Sequence, residues 1–258
     1  MVVISITNIK GGVGKTTLAI NLSACLAKNN ERVLLIDNDS QASVTQILLP
    51  DEVDNFEKTL YDVYIDKYTD LTDCLYQYND NLFICPNEIT SSKLDRQLLH
   101  TYNKELVLKK KIEKLPEDFF SVVIIDNSPA LGIQLENSLC SSDYYMVVVD
   151  NSASALQGLQ MIKETVEELT NANLTDVKLG GILRNRFDKR ANFTKAFNNV
   201  LVENFKSEVF ETIIHDSVRY KESFAANMTI KDYNDTYAEP YNNLIIEMKK
   251  RMKGIWYG

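Results

Sequence analysis

Three of the chain's nine glycines, Gly11, Gly12 and Gly14, fall within four consecutive positions. They separate a short apolar segment, residues 2–7, from a stretch of helical character at residues 16–28. Glycines at a strand-to-helix turn let backbone N–H groups line a concavity, and the helix N-terminus behind them adds partial positive charge. Such a turn is an anion site. Lys15 is spaced to reach the β- and γ-phosphates of a nucleotide, and Thr16 to offer a hydroxyl to Mg²⁺. The whole run, Lys10, Gly11, Gly12, Val13, Gly14, Lys15, Thr16 and Thr17, departs from two familiar patterns. Ile9 stands where G-x-x-x-x-G-K-[ST] needs glycine, and Thr17 where G-x-G-x-x-G needs its third. A turn that only capped the helix would leave two lysines and two threonines without a role, so the loop reads as nucleotide-binding.

Apolar runs recur at residues 2–7, 32–37, 81–85, 121–126, 145–149, 177–183 and 209–213. Longer helical stretches lie between them at 16–28, 104–114, 153–170, 192–206 and 235–253. Alternating strand and helix implies α/β architecture: a mostly parallel central sheet with helices on both faces. Residues 122–125 and 146–149 are continuously apolar, which suits central strands covered on both sides. Residues 51–77, acidic and tyrosine-rich without strong periodicity, read as a surface excursion of short helices. No linker, repeat or low-complexity tract divides the chain, which is expected to form one domain over residues 1–258.

Carboxylates close the apolar runs. Asp37 and Asp39 follow residues 33–36, and Asp126 follows 122–125. Strand carboxyl ends are where open α/β sheets bind ligands. Phosphoryl transfer needs carboxylates there to hold Mg²⁺ and orient water. Any one of them alone would equally suit a helix cap or a turn.

The segment KGGVGKTT resembles the deviant Walker A loop of the ParA/MinD class of P-loop ATPases, and the likeness runs through nearly the whole chain. DNDSQ at 37–41 is similar to that family's D-x-D-P-Q motif, and DNSPALG at 126–132 to its Walker B segment. Ser40 replaces the usual proline, and Asn127 and Ser128 stand where a small residue and a proline are common. The resemblance implies that Lys10 crosses an ATP-sandwiched homodimer to the partner's phosphates. It also implies that Asp39 activates water and that Asp126 supports Mg²⁺ through its water shell. Asn185, at the end of residues 177–183, has an amide able to read the adenine edge, although an Asn closing a strand fits a turn equally well. The family often places a polar residue there.

The net charge of −8 predicts repulsion from nucleic acid and anionic membranes except at a local basic patch. Arg184, Arg186, Lys189 and Arg190 form one such cluster, and Arg219 with Lys221 follows. Composition alone favours a solvated loop. The resemblance adds a function, because FDKRAN and IIHDSVRYKES are similar to family segments whose DNA-binding arginines fall on Arg190 and Arg219. His215 replaces a proline of the second segment. These segments resemble plasmid and chromosome partition proteins more than MinD. The implied cycle is non-specific DNA binding by the ATP dimer, reset by slow hydrolysis that a ParB-like centromere-binding partner stimulates. No helix-turn-helix domain is expected before the first strand.

The competing reading starts from Leu244, Ile245, Met248, Met252, Ile255 and Trp256, an apolar stripe beside Lys249, Lys250, Arg251 and Lys253. That composition suits an interfacial membrane helix, as in MinD-like regulators of division-site placement, and equally a helix docked on the core. Docking is the expectation, with no membrane partner. Four dispersed cysteines and two histidines provide no C-x-x-C pair or zinc spacing. No apolar run approaches the roughly 20 residues of a membrane span. The absence of a secretory n-region and h-region makes the cytoplasm, and by resemblance the nucleoid, the expected location.

Overall fold

In a computed structural model describing residues 1–53, 55–152, 154–187 and 192–252, the apolar runs become one sheet. Its strands are β1 (Val2–Thr7), β2 (Val33–Asn38), β3 (Tyr76–Gln77), β4 (Leu82–Cys85), β5 (Val122–Asn127), β6 (Tyr144–Val149), β7 (Lys178–Phe187) and β8 (Val209–His215). Their spatial order is β3-β4-β2-β5-β1-β6-β7-β8. Every neighbouring pair is parallel except β3 with β4. The continuously apolar runs sit on central strands, and the two-residue β3 lies at an edge.

Side chains along a strand alternate between the two faces of the sheet, so an unbroken apolar run serves two layers. Val2, Ile4, Ile6, Val122 and Ile124 join one cluster, while Val3, Val123 and Ile125 join another. The first face is covered by α1 (Lys15–Lys28), with α2 (Ser43–Leu48) beside it. The opposite face takes α3 (Leu60–Ile65), α4 (Leu94–Gln97) and α5 (Val107–Ile112), then α6 (Ile133–Ser141) and α7 (Ala155–Asn171). After α8 (Asn192–Phe205) and β8, the chain returns to the first face through α9 (Val218–Ala225), α10 (Ile230–Tyr233) and α11 (Glu239–Arg251).

Each strand expected from the sequence is present, and three expectations are revised. Residues 51–77 are not a mere surface excursion: Leu60, Val63, Tyr64, Leu71 and Cys74 are buried against the sheet. Their spacing had no strong period because α3 and the 3₁₀ turn Leu71–Cys74 are each too short to show one. The helices expected at 104–114 and 235–253 both open with a 3₁₀ turn, at Lys104–Leu106 and Asp235–Ala238. In α11, Pro240 occupies the first turn, where its missing N–H has no intrahelical partner to lose. Finally, β7 runs past residue 183 to Phe187, so Asn185 lies inside a strand rather than in the turn after it.

The last helix docks. Tyr241, Leu244, Ile245, Met248 and Met252 are buried in the cluster shared with α1 and β8. Its polar face is tied down as well: Lys249 pairs with Glu31 at 2.6 Å, and Glu247 accepts from the backbone N–H groups of Glu211 and Thr212. Arg251 donates to the Val209 carbonyl at 2.6 Å. Ile255 and Trp256 lie outside the described residues. Among the described residues, no helix is long and apolar enough to cross a membrane.

Candidate nucleotide site

The glycine loop leaves the carboxyl end of β1 and enters α1. Gly12 and Gly14 have φ of 78° and 89°, left-handed conformations that side chains other than glycine adopt at a cost. Gly14 has a second reason to be glycine, because a Cβ there would collide with the Asn185 amide. Asn185 is buried and donates from Nδ2 to the Val13 carbonyl at 2.9 Å and to the Gly14 carbonyl at 3.3 Å, so β7 braces the loop. A cavity of about 320 Å³ opens above it, lined by Gly11, Gly12, Gly14, Lys15, Thr16 and Thr17 from the loop and by Asp39 across from them.

The three aspartates occupy three different situations. Register places Asp37 opposite Asp126 across β2 and β5. The Asp37 carboxylate accepts from the backbone N–H of Thr45 at 2.9 Å and its hydroxyl at 2.7 Å, which anchors the first turn of α2. Burial pushes Asp37 up to about 6 against the opposing pull of the Thr45 bonds. Asp39 faces the cavity, with Oδ1 accepting from the Gln41 N–H at 2.9 Å. Asp126 is fully buried, and among the described residues neither of its oxygens accepts a hydrogen bond within 3.5 Å. Burial first, then the neighbouring Asp37, push it up to about 8, against the nearby Thr16 hydroxyl and Lys15 ammonium.

Lys15 is itself nearly inaccessible, and burial lowers its pKa although Asp126 and Asp39 draw it back. Its ammonium donates only a long bond, 3.3 Å, to the Lys10 carbonyl. Lys10 is held elsewhere: Nζ lies 2.5 Å from Asp150 Oδ2 and 2.6 Å from Ser152 Oγ, just beyond the end of β6. Burial raises the Asp150 carboxyl, but the bonds from Lys10 and Ser152 outweigh it and hold the group below the usual carboxylate range.

The basic cluster of the sequence separates into unlike parts. Arg184 is buried and donates to the Phe210 and Glu211 carbonyls and to Asn198 Oδ1, so it ties β7 to β8 and α8 rather than meeting solvent. Arg186 has φ of 57° where the β7–β8 register shifts, and its Nη1 donates to the Gly12 carbonyl at 2.6 Å. It therefore belongs to the cavity. Arg219 is exposed in the first turn of α9 and pairs with Glu222 at 2.6 Å. Arg190 and Lys189 lie outside the described residues.

Sequence reasoning missed the asparagines that follow two of the aspartates. Asn38 Nδ2 donates to Asn127 Oδ1 at 2.8 Å, and Asn127 Nδ2 donates to the Ser5 hydroxyl and the Ile6 carbonyl. They lock β2, β5 and β1 together directly beneath the site. Their signal was present, since polar residues inside apolar strands are paired when buried. A second, smaller cavity of about 100 Å³ shares Gly14, Thr17 and Arg186 with the first and is walled by Asn185, His215 and Tyr220.

A mostly parallel sheet whose first strand runs through a glycine–lysine loop into a helix, with a strand-end aspartate on the facing strand, defines a P-loop protein of the doubly wound α/β class. Residues 1–179 match a family profile described as an AAA domain. The sporulation initiation inhibitor protein Soj of Bacillus subtilis is 33% identical over 95% of this chain and 97% of its own. The chromosome partitioning protein ParA of Myxococcus xanthus is 32% identical over 96% and 88%. The chain belongs to the ParA/Soj-type partition ATPase family. Among solved structures, a plasmid partition protein from Borrelia burgdorferi bound to AMPPNP is similar with a TM-score of 0.83, at 27% identity over 97% of this chain and 99% of that one. Cobyrinic acid a,c-diamide synthase from Mycobacterium smegmatis, with bound ATP analog and magnesium, has a TM-score of 0.81 at 26% identity, over 96% of each chain.

Proposed function

We propose that the protein binds and hydrolyses ATP with Mg²⁺ and uses the cycle to switch its hold on DNA during partition of a plasmid or chromosome. The observation that carries this reading is the buried Asp126 carboxylate beneath Lys15 and Thr16. Burial makes ionisation of this carboxyl costly, and a group of that kind placed at a phosphate loop fits a cation brought in with its ligand, which would favour the charged form. Among the described residues, no cluster of three or more His, Cys, Asp or Glu could hold a metal by itself. Mg²⁺ commonly takes one or two protein groups and completes its shell with phosphates and water. Thr16 would hold it directly and Asp126 through water, and the ion would supply charge neutralisation of the phosphates.

The chain's own groups do the rest. The amides of Gly11, Gly12, Val13 and Gly14 hold the phosphates, with Thr17 beside them, and Lys15 adds charge where it builds in transfer. Asp39 orients the attacking water. The smaller cavity takes the adenine, with the Asn185 oxygen facing its amino group. Lys10 leaves Asp150 and Ser152 to reach the nucleotide of a second copy, so ATP drives homodimerisation. The dimer binds DNA non-specifically through Arg190 and Arg219, and a ParB-like partner stimulates an otherwise slow turnover in the cytoplasm, on the nucleoid. The partition relatives support this reading over the amide-forming chemistry of the diamide synthase. The docked α11 supports it over a membrane-surface regulator.

The test is binding of the protein to non-specific duplex DNA and to anionic liposomes, each with ATP, ADP or no nucleotide, over a salt series. DNA retained only with ATP, released by salt and lost in Arg190→Ala/Arg219→Ala is the expected result. Liposome binding that disappears when the residues after Glu247 are deleted would replace the reading with the membrane one.

A further inference from the structure

Beyond the nucleotide site, α3, α4 and α5 enclose a cavity of about 400 Å³ on the opposite face of the sheet. Its size is in the range that holds small organic ligands. Val63, Leu98 and Val107 give it apolar walls, and the buried Tyr64 lines it as well. Its charged lining is entirely cationic, with Lys67, Lys110, Lys111 and Lys114 and no Asp or Glu. That is unexpected in a chain of net charge −8.

Two of the lysines are held from behind: Lys111 donates to the Lys67 carbonyl at 2.9 Å and to the Thr69 carbonyl, and Asp70 pairs with both Lys111, at 3.2 Å, and Lys114, at 2.8 Å. Lys67 lies 4.7 Å from the Tyr68 ring centroid. Neither Lys67 nor Lys110 has a carboxylate partner among the described residues. An apolar hollow whose rim carries two ammonium groups without a carboxylate partner, Lys67 and Lys110, complements a molecule with a greasy body and an anionic head. We propose that this cavity is a binding site for a small organic anion with an aromatic or branched apolar body.

Its Tyr64 leads to the strand ends. The Tyr64 hydroxyl donates to Asn38 Oδ1 at 3.0 Å, and Asn38 in turn bonds Asn127. These asparagines follow Asp37 and Asp126 in β2 and β5. An occupant that shifts Tyr64 shifts the network under the phosphate loop, so the two sites alter each other's affinity by the same factor. This second step rests on the nucleotide reading, whereas binding at the cavity does not.

The probe is 8-anilinonaphthalene-1-sulfonate, titrated by fluorescence into the full chain without nucleotide. N-phenyl-1-naphthylamine, the same rings without the sulfonate, is its control. One saturable site is expected, weakened at least tenfold by Lys67→Glu/Lys110→Glu while the neutral amine is unaffected. Val107→Trp should fill the hollow and remove both. A charge reversal that leaves sulfonate binding unchanged, or sulfonate binding undiminished in Val107→Trp, would overturn the site. The titration is then repeated with Mg·ATP, with bound ATP counted by equilibrium dialysis. A shifted probe affinity in the parent that vanishes in Tyr64→Phe supports the coupling. Bound ATP with no shift overturns it and leaves the cavity standing. No bound ATP overturns the nucleotide reading and the coupling with it, while the nucleotide-free titration still decides the cavity.

Discussion

Replacing Asp126 by Asn should make the nucleotide-free protein more stable at slightly alkaline pH, even as it disables the site. Asp126 is fully buried and is pushed up to about 8, whereas an unfolded Asp titrates near 3.9. Between those values the native protein keeps a proton that the unfolded chain has released. Unfolding then releases protons, so stability falls as pH rises through this window. The contribution is intact below about pH 4 and fully lost above the folded value. At about 1.4 kcal/mol per unit, the part falling between pH 5 and 8 comes to roughly 4 kcal/mol. Asn has the shape of the protonated carboxyl and cannot ionise, so that slope disappears. In a chain of this size, roughly 4 kcal/mol is worth on the order of 8–16 °C in Tm. Thermal unfolding followed by circular dichroism, in chelator and without nucleotide, should give parent and Asp126→Asn curves that diverge from pH 5 to 8. Asp37, raised to about 6, contributes the same slope to both and cancels. Mg·ATP should then stabilise the parent, by about 2.7 kcal/mol at a hundredfold excess over Kd, and leave Asp126→Asn nearly unchanged. Parallel pH curves for the two proteins would refute the claim that burial raises the Asp126 carboxyl in the nucleotide-free protein.

Other outcomes follow from the same geometry. Lys10→Ala should still bind nucleotide but fail to dimerise with ATP; an unchanged dimer by light scattering would contradict the crossing role. Asp39→Ala, which removes a cavity-facing carboxylate without disturbing the Thr45 anchor, should keep the ATP dimer and lose at least a hundredfold in phosphate release. Leu244→Ala, at a fully buried position of α11, should cost about 2–5 kcal/mol in urea denaturation without promoting liposome binding. A near-neutral effect there would mean that the helix is not held on the core.

The parts of this molecule that show plainly in its sequence are those fixed by local chemistry. Residues 122–125 are apolar at every position because both faces of β5 are covered, and Gly12 and Gly14 are glycines because the loop needs positive φ. The sequence alone therefore places the loop residues and the strand-end aspartates together at the carboxyl ends of the strands. What resisted reading depends on partners distant in the chain. Nothing near Arg184 announces that its guanidinium is taken by carbonyls of β8, or that Arg186, two residues on, turns back to the Gly12 carbonyl. Asp37 and Asp39 look equivalent in DNDSQ, and only the fold shows that Thr45 claims the first. The short elements of residues 51–77 were illegible for another reason: a six-residue helix has too few turns to display a period, however deeply its Leu60 and Val63 are buried.

The same distant partners hold the site's groups in place. Three groups that a nucleotide would need are each kept in an unfavourable or borrowed state: Asp126 buried with no hydrogen bond within 3.5 Å among the described residues, Lys15 desolvated, and Lys10 bound to Asp150 and Ser152. Asp126 and Lys15 partly relieve one another across the base of the loop. Beneath them, the asparagine network of β2, β5 and β1 keeps the floor from collapsing toward them. Lys10 is different in kind, because its resting partners are good ones. Moving it costs an ion pair with about a fifth of the Asp150 side chain exposed and a hydrogen bond to a hydroxyl, a loss of one to a few kcal/mol. A single phosphate contact in the same molecule would offer little over that. Contact with the concentrated charge of a second nucleotide site would, so under the proposed cycle Lys10 is expected to leave Asp150 only when two ATP-bound copies meet.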